Sequence, residues 1–508
     1  MKITICHPSK AIVEPDDEIY DLELSRLEHL LTFTNTSVAH DIKRHYNNHW
    51  SRSKNPDRWQ QTLDDMKRRA KRTLVWEENG QLFVRPGSVP YIRSAESMQT
   101  DIFVDNTIEY PVPKKVPWKH PLPFELYPYQ EESWTRLLEV QHGNVELCTG
   151  AGKSAILLKL CRETGFRTAI IAPSKSIFNE LVEKFDHHFG KGMVGRFGDG
   201  KKVLGKRFTV CIGDSIANIK PKTPEFDFFS KLDMLCVDES HTWGAESLES
   251  ICFGVLNDIP YRFFFSGTQT RGDGTEKLLQ SIIGRTVHVL TTKDAVAGGY
   301  ICPHDYRVVS IESSNPNYST HDALDMKRVH FLKNRNICAF VAKLANVESG
   351  RRRQTLVLVE ELEQIAMLVP LLQTSYAIAH SEKKAERLAE LGISKVDPSE
   401  SVDMFNRGDA MVLIGTSCIA TGTNIYPMQN TINWAGGASE IRTKQGAVGR
   451  SVRLGIQNPY NNRCEPKPKV LIWDFAVRDI EIMMRHLEER LSYYSESGSE
   501  IREVKLGK

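Results

Sequence analysis

The chain alternates short apolar runs with segments in which apolar residues recur at helical spacing. Apolar runs at Thr168–Ala172 and Met234–Val237 predict buried strands, and residues 178–185 between them have the pattern of a helix. The same alternation restarts after Thr292, with another strand-like run at 355–359. Two successive series of this kind predict two α/β domains, each built on a parallel sheet that helices cover on both faces.

The segments on either side of this region have different patterns. The first hundred residues mix strand and helix patterns, which predicts a small α/β accessory domain. Five prolines at 110–123 then favour an extended linker over a helix. The expected division is accessory domain, linker, first α/β domain, second α/β domain and C-terminal helix with a polar tail, at 1–100, 101–124, 125–292, 293–478 and 479–508.

The composition excludes several classes of protein. Hydrophobic residues at 40% and charged residues at 26% are typical of a globular chain. No run approaches the ~20 apolar residues of a membrane span, and the first residues lack the apolar block of a signal peptide. The ten cysteines include no C-x-x-C pair, which argues against a zinc ribbon or a disulfide scaffold. We therefore expect a cytoplasmic protein with no membrane partner.

The charge is nearly balanced, at a net +2, so a nucleic-acid site has to be a local basic patch. One candidate is the segment 40–72, where ten Lys and Arg stand against four acidic residues and alternate with Tyr46, Trp50 and Trp59. Phosphates are attracted to such charge, and exposed rings can stack on bases. The alternative is a solvated helix face whose tryptophans belong to the core.

The strongest local motif is a glycine-rich stretch between a strand-like segment at 144–147 and an apolar helix at 155–160. Glycines let such a loop point backbone N–H groups at phosphate oxygens, and the helix N-terminus favours the negative charge. Lys153 is expected to reach the β- and γ-phosphates of a nucleotide, and the Ser154 hydroxyl to bind Mg²⁺. The predicted nucleotide-binding residues here are Thr149, Gly150, Ala151, Gly152, Lys153 and Ser154.

Two adjacent carboxylates, Asp238 and Glu239, follow the predicted strand Met234–Val237 directly. In a protein with a phosphate-binding loop, such a pair suits two different tasks. Asp238 is expected to hold Mg²⁺ together with Ser154, and Glu239 to orient and deprotonate the water that attacks the γ-phosphate. The alternative for an isolated pair of this kind is that both acidic side chains are ordinary solvated residues at the surface.

A third motif, at 449–453, carries Arg450 and Arg453. Two arginines three residues apart lie on one face of a helix, where they can clamp a phosphate chain. An arginine supplied in this way neutralises transition-state charge during phosphoryl transfer. Surface salt bridges on a helix are the alternative.

In this order the motifs resemble those of the superfamily 2 helicases, motors with two tandem RecA-like domains. Gln130 resembles the adenine-reading residue of the Q motif, with Tyr127 or Tyr129 as its stacking partner. The sequence 238–241 resembles the DExH box, and 266–268 resembles the motif that couples hydrolysis to strand movement. The further positions implied by the resemblance are Ser174, Lys175 and Thr416 for nucleic acid, Gly422 and Asn424 for nucleotide, and Arg450 and Arg453 for catalysis.

The layout is also similar to that of the UvsW-type phage recombination helicases, including the strand-like sequence 472–475 that runs into a C-terminal helix. This resemblance implies a monomeric helicase or translocase that uses ATP and Mg²⁺ and binds single-stranded and branched DNA without sequence preference. It also implies action on forks, Holliday junctions and R-loops in recombination, repair and replication restart, with RNA as a further partner in R-loops. A phage origin would place the protein in the bacterial host cytoplasm.

Two positions depart from the family pattern, and two other functions remain open. Gly446 stands where these helicases usually have a glutamine that contacts the γ-phosphate, and Asn424 replaces a common aspartate. Because the motif residues contact phosphates, an RNA-directed helicase would share them. A protein that binds nucleotide as a switch, without unwinding, would share the phosphate-binding loop.

Overall fold

The structure is a computed structural model, and the chain divides into two compact units. The first comprises Met1–Leu147 with Gly152–Val289, and the second Cys148–Ala151 with Leu290–Lys508. The described residues are 1–47, 53–118, 121–122, 124–204, 207–267, 274–311, 323–382, 384–416, 419, 425–436, 454, 467–478 and 480–505. Within these ranges, none of the helices is both long enough and apolar enough to span a membrane.

The described residues of 1–106 form an accessory region with a small mixed sheet of five strands, in the order β5-β6-β2-β1-β7, and a two-stranded ribbon, β3-β4. The strands are β1 (Lys2–His7), β2 (Lys10–Glu14), β3 (Thr32–Thr34), β4 (Lys71–Thr73), β5 (Val75–Glu78), β6 (Gln81–Val84) and β7 (Phe103–Asn106). The described α-helices are Tyr20–Leu31, Thr36–Asn47, Pro56–Ala70 and Val89–Ser94.

The accessory region shares one hydrophobic core with the α/β region that follows it. Val89 and Ile92 belong to the same buried cluster as Leu248 and Ile282. At Gly87, a side-chain carbon would lie 2.3 Å from the Ser281 carbonyl oxygen, so the close approach of the two regions requires glycine there. The two regions thus pack as one unit, and the predicted boundary between them stays a prediction.

The α/β part of the first unit is built on an eight-stranded sheet in the order β11-β10-β12-β9-β13-β14-β8-β15. Its strands are β8 (His142–Leu147), β9 (Thr168–Ala172), β10 (Val194–Gly198), β11 (Lys201–Val203), β12 (Phe208–Ile212), β13 (Met234–Val237), β14 (Tyr261–Ser266) and β15 (Arg285–Leu290). The described α-helices are Pro128–Val140, Lys153–Thr164, Lys175–Phe189, Gly213–Ala217, Pro224–Phe229, Ala245–Phe253 and Glu276–Ile283. The run from β10 through β12, β9, β13 and β14 to β8 is parallel.

The second unit has a seven-stranded sheet in the order β18-β19-β17-β20-β21-β16-β22, and its strand pairs are parallel. The strands are β16 (His304–Ile311), β17 (Thr355–Leu358), β18 (Tyr376–Ala379), β19 (Val412–Gly415), β20 (Asn430–Asn433), β21 (Val470–Val477) and β22 (Ile501–Lys505). The described α-helices are Thr292–Ala297, Ala323–Lys327, Arg335–Gly350, Leu362–Leu368, Ala385–Glu390, Pro398–Arg407 and Glu481–Glu496.

The fold class predicted from the apolar runs is confirmed. The runs at Thr168–Ala172 and Met234–Val237 are neighbouring parallel strands, with Cys236 opposite Ile170. These strands are buried throughout, because helices cover both faces of the sheet. The segment expected to be only a polar tail contains β22, an exposed strand that pairs with β16.

Candidate active site

The glycine-rich loop joins β8 to the helix Lys153–Thr164. Gly150 and Gly152 have φ of +90° and +78°, a left-handed conformation that glycine adopts without a steric cost. A side-chain carbon at Gly152 would also lie 2.5 Å from Nε2 of Gln130. The sequence therefore needs glycine at 152 both for the turn and for the close approach of Gln130.

Gln130 is buried at the start of the helix Pro128–Val140, beside two aromatic rings. Its Oε1 accepts a hydrogen bond from the Tyr127 N–H at 2.9 Å, and its Nε2 lies 3.2 Å from the Tyr129 hydroxyl. The rings of Tyr127 and Tyr129 are nearly parallel, with centroids 5.9 Å apart. The structure thus brings the three Q-motif residues together beside Gly152, and their role in reading adenine stays a prediction.

Lys153 contacts the second acidic residue of the DExH-like motif. Its Nζ lies 3.3 Å from Oε1 of Glu239 and donates to the Leu147 carbonyl oxygen at 3.4 Å. The Lys153 side chain is only 9% exposed, so the ion pair is largely removed from water. A buried charge needs such a partner, and Glu239 supplies it.

Glu239 has a strained backbone, with φ of +46°, and Thr242 holds it in place by donating its N–H and its hydroxyl to the Glu239 carbonyl oxygen at 2.9 and 2.8 Å. Its Oε2 is buried and has no hydrogen-bond partner in the described part of the chain. That oxygen lies 3.5 Å from Nδ1 of His241. Backbone strain and an unsatisfied carboxylate oxygen are features that functional sites tolerate.

His241 connects this carboxylate to the end of β14. Its Nδ1 lies 2.8 Å from the hydroxyl oxygen of Ser266, the first residue of the sequence 266–268 that resembles the coupling motif. Lys153, Glu239, His241 and Ser266 therefore form one continuous series of side-chain contacts. The series joins the phosphate-binding loop to the segment expected to couple hydrolysis to movement.

Asp238 and Ser154 have the chemistry of a Mg²⁺ site. Asp238 is nearly buried, and burial together with the neighbouring Glu239 charge raises its pKa to about 7, against the opposing charge of Lys153. The hydroxyl of Ser154 accepts a hydrogen bond from Nζ of Lys184 at 3.2 Å. A carboxylate and a hydroxyl are the oxygen ligands that Mg²⁺ prefers, with water and nucleotide phosphates completing the octahedron. Among the described residues no group of three or more His, Cys, Asp or Glu could hold a metal ion.

The raised pKa of Asp238 predicts a pH dependence in the protein without nucleotide or Mg²⁺. The native carboxyl keeps its proton up to about pH 7, whereas the unfolded one loses it near its ordinary value of 3.8. The native state therefore binds more protons between these values, and stability falls as pH rises through that window. Asp238→Asn should raise the urea midpoint more at pH 8 than at pH 5, and the exposed Asp214→Asn should not. An equal increase of the urea midpoint at pH 5 and pH 8 in Asp238→Asn would contradict this explanation.

The predicted nucleic-acid residues lie where strands end. Ser174 is the N-cap of the helix Lys175–Phe189 and accepts from the Ile177 N–H at 3.4 Å. Lys175 is exposed, and its Nζ lies 2.8 Å from Oδ1 of Asp199. In the second unit, Thr416 follows β19 and donates its N–H to the Ala379 carbonyl oxygen. Asp199 is a partner that the sequence motifs did not indicate, because it lies 24 positions away from Lys175.

Several predicted site residues fall outside the described ranges, so their roles stay predictions. They are Gly422, Asn424, Arg450 and Arg453, together with Thr268 of the sequence 266–268.

The basic segment 40–72 combines core contacts with ion pairs. Trp59 is buried and stacks on His45, with ring centroids 4.8 Å apart, so it is a core residue and presents no ring to a base. Arg69 lies 2.9 Å from Glu246, and Arg72 lies 3.1 Å from Glu249, both on the helix that follows the DExH-like motif. These two arginines attach the accessory region to the α/β region.

The chain is similar to several known proteins. Residues 123–271 match the family described as type III restriction enzyme, res subunit. The DNA 3′–5′ translocase XPB2 of Sulfurisphaera tokodaii is 26% identical over 289 residues, which cover 56% of this chain and 61% of that relative. A structure of the ATP-dependent type ISP restriction-modification enzyme LlaBIII bound to DNA covers 76% of this chain and 32% of its own, at 11% identity and a TM-score of 0.53.

The crystal structure of T4 UvsW covers 99% of both chains, at 13% identity and a TM-score of 0.43. The match to XPB2 spans about three fifths of that relative. The two sheets and the structural similarity confirm the tandem RecA-like fold that the motif order predicted.

Proposed function

We propose that the chain is an ATP-dependent motor of helicase superfamily 2 that moves on DNA. The observation that carries this proposal is the series of contacts from Lys153 through Glu239 and His241 to Ser266. A protein that only binds nucleotide needs the phosphate-binding loop but not a base beside it. The contact between His241 and Ser266 further supports a link from hydrolysis to movement.

The hydrolytic step follows from the contacts of Glu239. Its Oε1 lies 3.3 Å from Nζ of Lys153. A bound γ-phosphate would take over Lys153, because its negative charge is greater and the loop amides bind it as well. The released carboxylate would then accept a proton from the attacking water. Mg²⁺ held by Ser154 and Asp238 would neutralise charge on the phosphate oxygens.

DNA is the proposed track because of the relatives and the predicted contacts. XPB2 is named as a DNA translocase, and the LlaBIII structure is bound to DNA. Ser174, Lys175 and Thr416 would contact the backbone, so binding would not depend on sequence. Branched DNA, such as forks, Holliday junctions and R-loops, is the proposed substrate within this class, with recombination, repair and replication restart as the settings.

The test is ATP hydrolysis by the full chain with Mg²⁺, with and without nucleic acid. We expect single-stranded DNA to stimulate hydrolysis at least about tenfold, a difference of ~1.4 kcal/mol in activation free energy, and a four-way junction to stimulate it more. Stronger stimulation by single-stranded RNA would favour the RNA-directed alternative. Hydrolysis that responds to no nucleic acid would contradict the motor and favour the nucleotide switch.

The accessory region is proposed to hold a duplex arm through the basic residues that do not attach it to the α/β region. Replacing Lys67, Arg68 and Lys71 with glutamine should weaken junction binding and make its salt dependence less steep, because phosphate contacts are lost. The comparison is a variant in which Lys115, Lys191 and Lys231, which are also exposed, are changed to glutamine. If the two variants bind the junction with equal affinity and equal salt dependence, the accessory region does not hold a duplex arm in this way.

A further inference from the structure

The strands β10 and β11 form a tight hairpin at the edge of the eight-stranded sheet. Gly198 pairs with Lys201, and the two residues between them, Asp199 and Gly200, have φ of +51° and +74°. Two consecutive positive φ values define the short turn whose twist matches that of the flanking strands. The hairpin, residues 194–203, therefore presents its tip and its lysines in a fixed geometry.

A groove of about 510 Å³ lies between this hairpin and the segment 215–225. Three lysines line it together with hydroxyl and amide groups: Lys201, Lys202, Lys220, Ser215, Asn218 and Thr223. Lys202 lies 3.7 Å from Glu225, also in the lining. Lys201 and Lys220 make no ion pair with any residue that the structure describes. The groove thus carries positive charge that the described protein leaves unbalanced.

The hairpin tip contacts the residue predicted to bind nucleic acid. Asp199 lies 2.8 Å from Lys175, and the two side chains are 32% and 65% exposed. An exposed pair of this kind contributes only about 0–1 kcal/mol to stability, so a structural purpose explains it poorly. A phosphate oxygen carries the same charge as the Asp199 carboxylate and can take its place on Lys175.

A different explanation for lysines on β11 is protection of an exposed sheet edge. Edge strands often carry lysine, which prevents pairing with another chain. That explanation accounts for Lys201 and Lys202. It does not account for Lys220, which lies on a separate segment across the groove, or for the pair between Asp199 and Lys175.

We propose that the hairpin 194–203 and its groove are a second binding surface for the nucleic-acid backbone, in which Asp199 occupies Lys175 until a phosphate displaces it. Lys201 and Lys220 would then bind phosphates further along the same strand. This inference rests on the proposed function and extends it, because it names a track beside the predicted contacts of Ser174 and Lys175.

The first test measures binding of a fluorescent single-stranded DNA to the full chain over a series of salt concentrations. In the double variant Lys201→Gln, Lys220→Gln, the slope of log affinity against log salt should become less steep by about 1.4, at ~0.7 for each lost phosphate contact. The control carries Lys191→Gln and Lys231→Gln, which precede β10 and β13 at the opposite end of the parallel strands. Equal slopes for the double variant and the wild type would overturn the proposal.

The second test separates competition by Asp199 from a supporting role. Asp199→Asn should bind the DNA at least about threefold more tightly, and this gain should disappear when Lys175→Gln is added, because contacting residues are coupled. Weaker binding by Asp199→Asn would show that Asp199 positions Lys175, and would overturn the proposal. If wild-type protein binds no DNA, the proposed function fails as well. If it binds DNA but neither variant responds as stated, only the hairpin surface fails.

Discussion

Glu239→Gln should lower the rate of DNA-stimulated ATP hydrolysis by about 10²- to 10⁴-fold, which is the usual contribution of a positioned general base. Glutamine has the shape of glutamate but cannot accept a proton from water near neutral pH. The substitution keeps the side chain within reach of Lys153 and His241, and Thr242 still donates to the backbone carbonyl oxygen of residue 239, so the local fold should persist. The loss should therefore appear in kcat.

Nucleotide affinity provides the second readout of the same variant. In the wild type, a γ-phosphate has to replace Glu239 on Lys153, and that exchange opposes binding. The neutral glutamine removes this competition, so ATP should bind Glu239→Gln at least as tightly as it binds the wild type. A fluorescent ATP analogue titrated in the presence of Mg²⁺ would measure it.

Glu183→Gln is the matched control, because Glu183 is an exposed residue on the helix Lys175–Phe189. It removes the same charge from the same unit and should leave both readouts unchanged. A Glu239→Gln variant that hydrolyses ATP within tenfold of the wild-type rate would show that another group deprotonates the water. Weaker nucleotide binding with normal turnover would assign Glu239 to binding alone.

The sequence predicted the buried strands well because burial on both faces leaves a simple signal. Short apolar runs, which end at Pro173 in one case and at Asp238 in the other, locate β9 and β13. The same rule fails for exposed strands. The sequences of β11 and β22 are mostly polar, and only their pairing with β10 and β16 makes them strands.

Contacts across long sequence separations were also invisible in the sequence. Asp199 meets Lys175, and Arg72 meets Glu249, only because the fold brings distant segments together. A tryptophan in a basic segment is compatible with base stacking until its burial is known, and Trp59 is buried. The residues predicted to be catalytic could be found from the sequence, because Lys153 and Glu239 each follow a strand whose end the apolar pattern locates.

The second prediction with a large expected effect concerns the stability of the second unit. It rests on a buried network of an ion pair and hydrogen bonds that joins β21 to the helix Glu481–Glu496. Arg490 donates from Nε and Nη2 to the two carboxylate oxygens of Asp474 at 2.6 and 3.0 Å, and the Tyr494 hydroxyl donates to the same carboxylate at 2.7 Å. Asp474 and Arg490 are almost fully buried. The ring of Tyr494 stacks on Tyr306 of β16, with centroids 3.8 Å apart. This network explains why an aspartate stands in the apolar strand 472–475 that precedes the helix.

Arg490→Gln should destabilise the second unit by about 3–5 kcal/mol, because it leaves the Asp474 charge buried with too few partners. Hydrogen exchange of the β21 amides would measure the loss in this unit directly. The control is Arg478→Gln, whose ion pair with Glu503 is about half exposed on both sides and should cost at most ~1 kcal/mol. Replacing Asp474, Arg490 and Tyr494 together with leucine, methionine and phenylalanine should recover most of the loss, since apolar residues often replace a buried ion pair without cost. If Arg490→Gln lowers the free energy of unfolding by less than ~1 kcal/mol, then water or a rearranged side chain compensates the Asp474 charge. Packing alone would then hold the helix on the sheet.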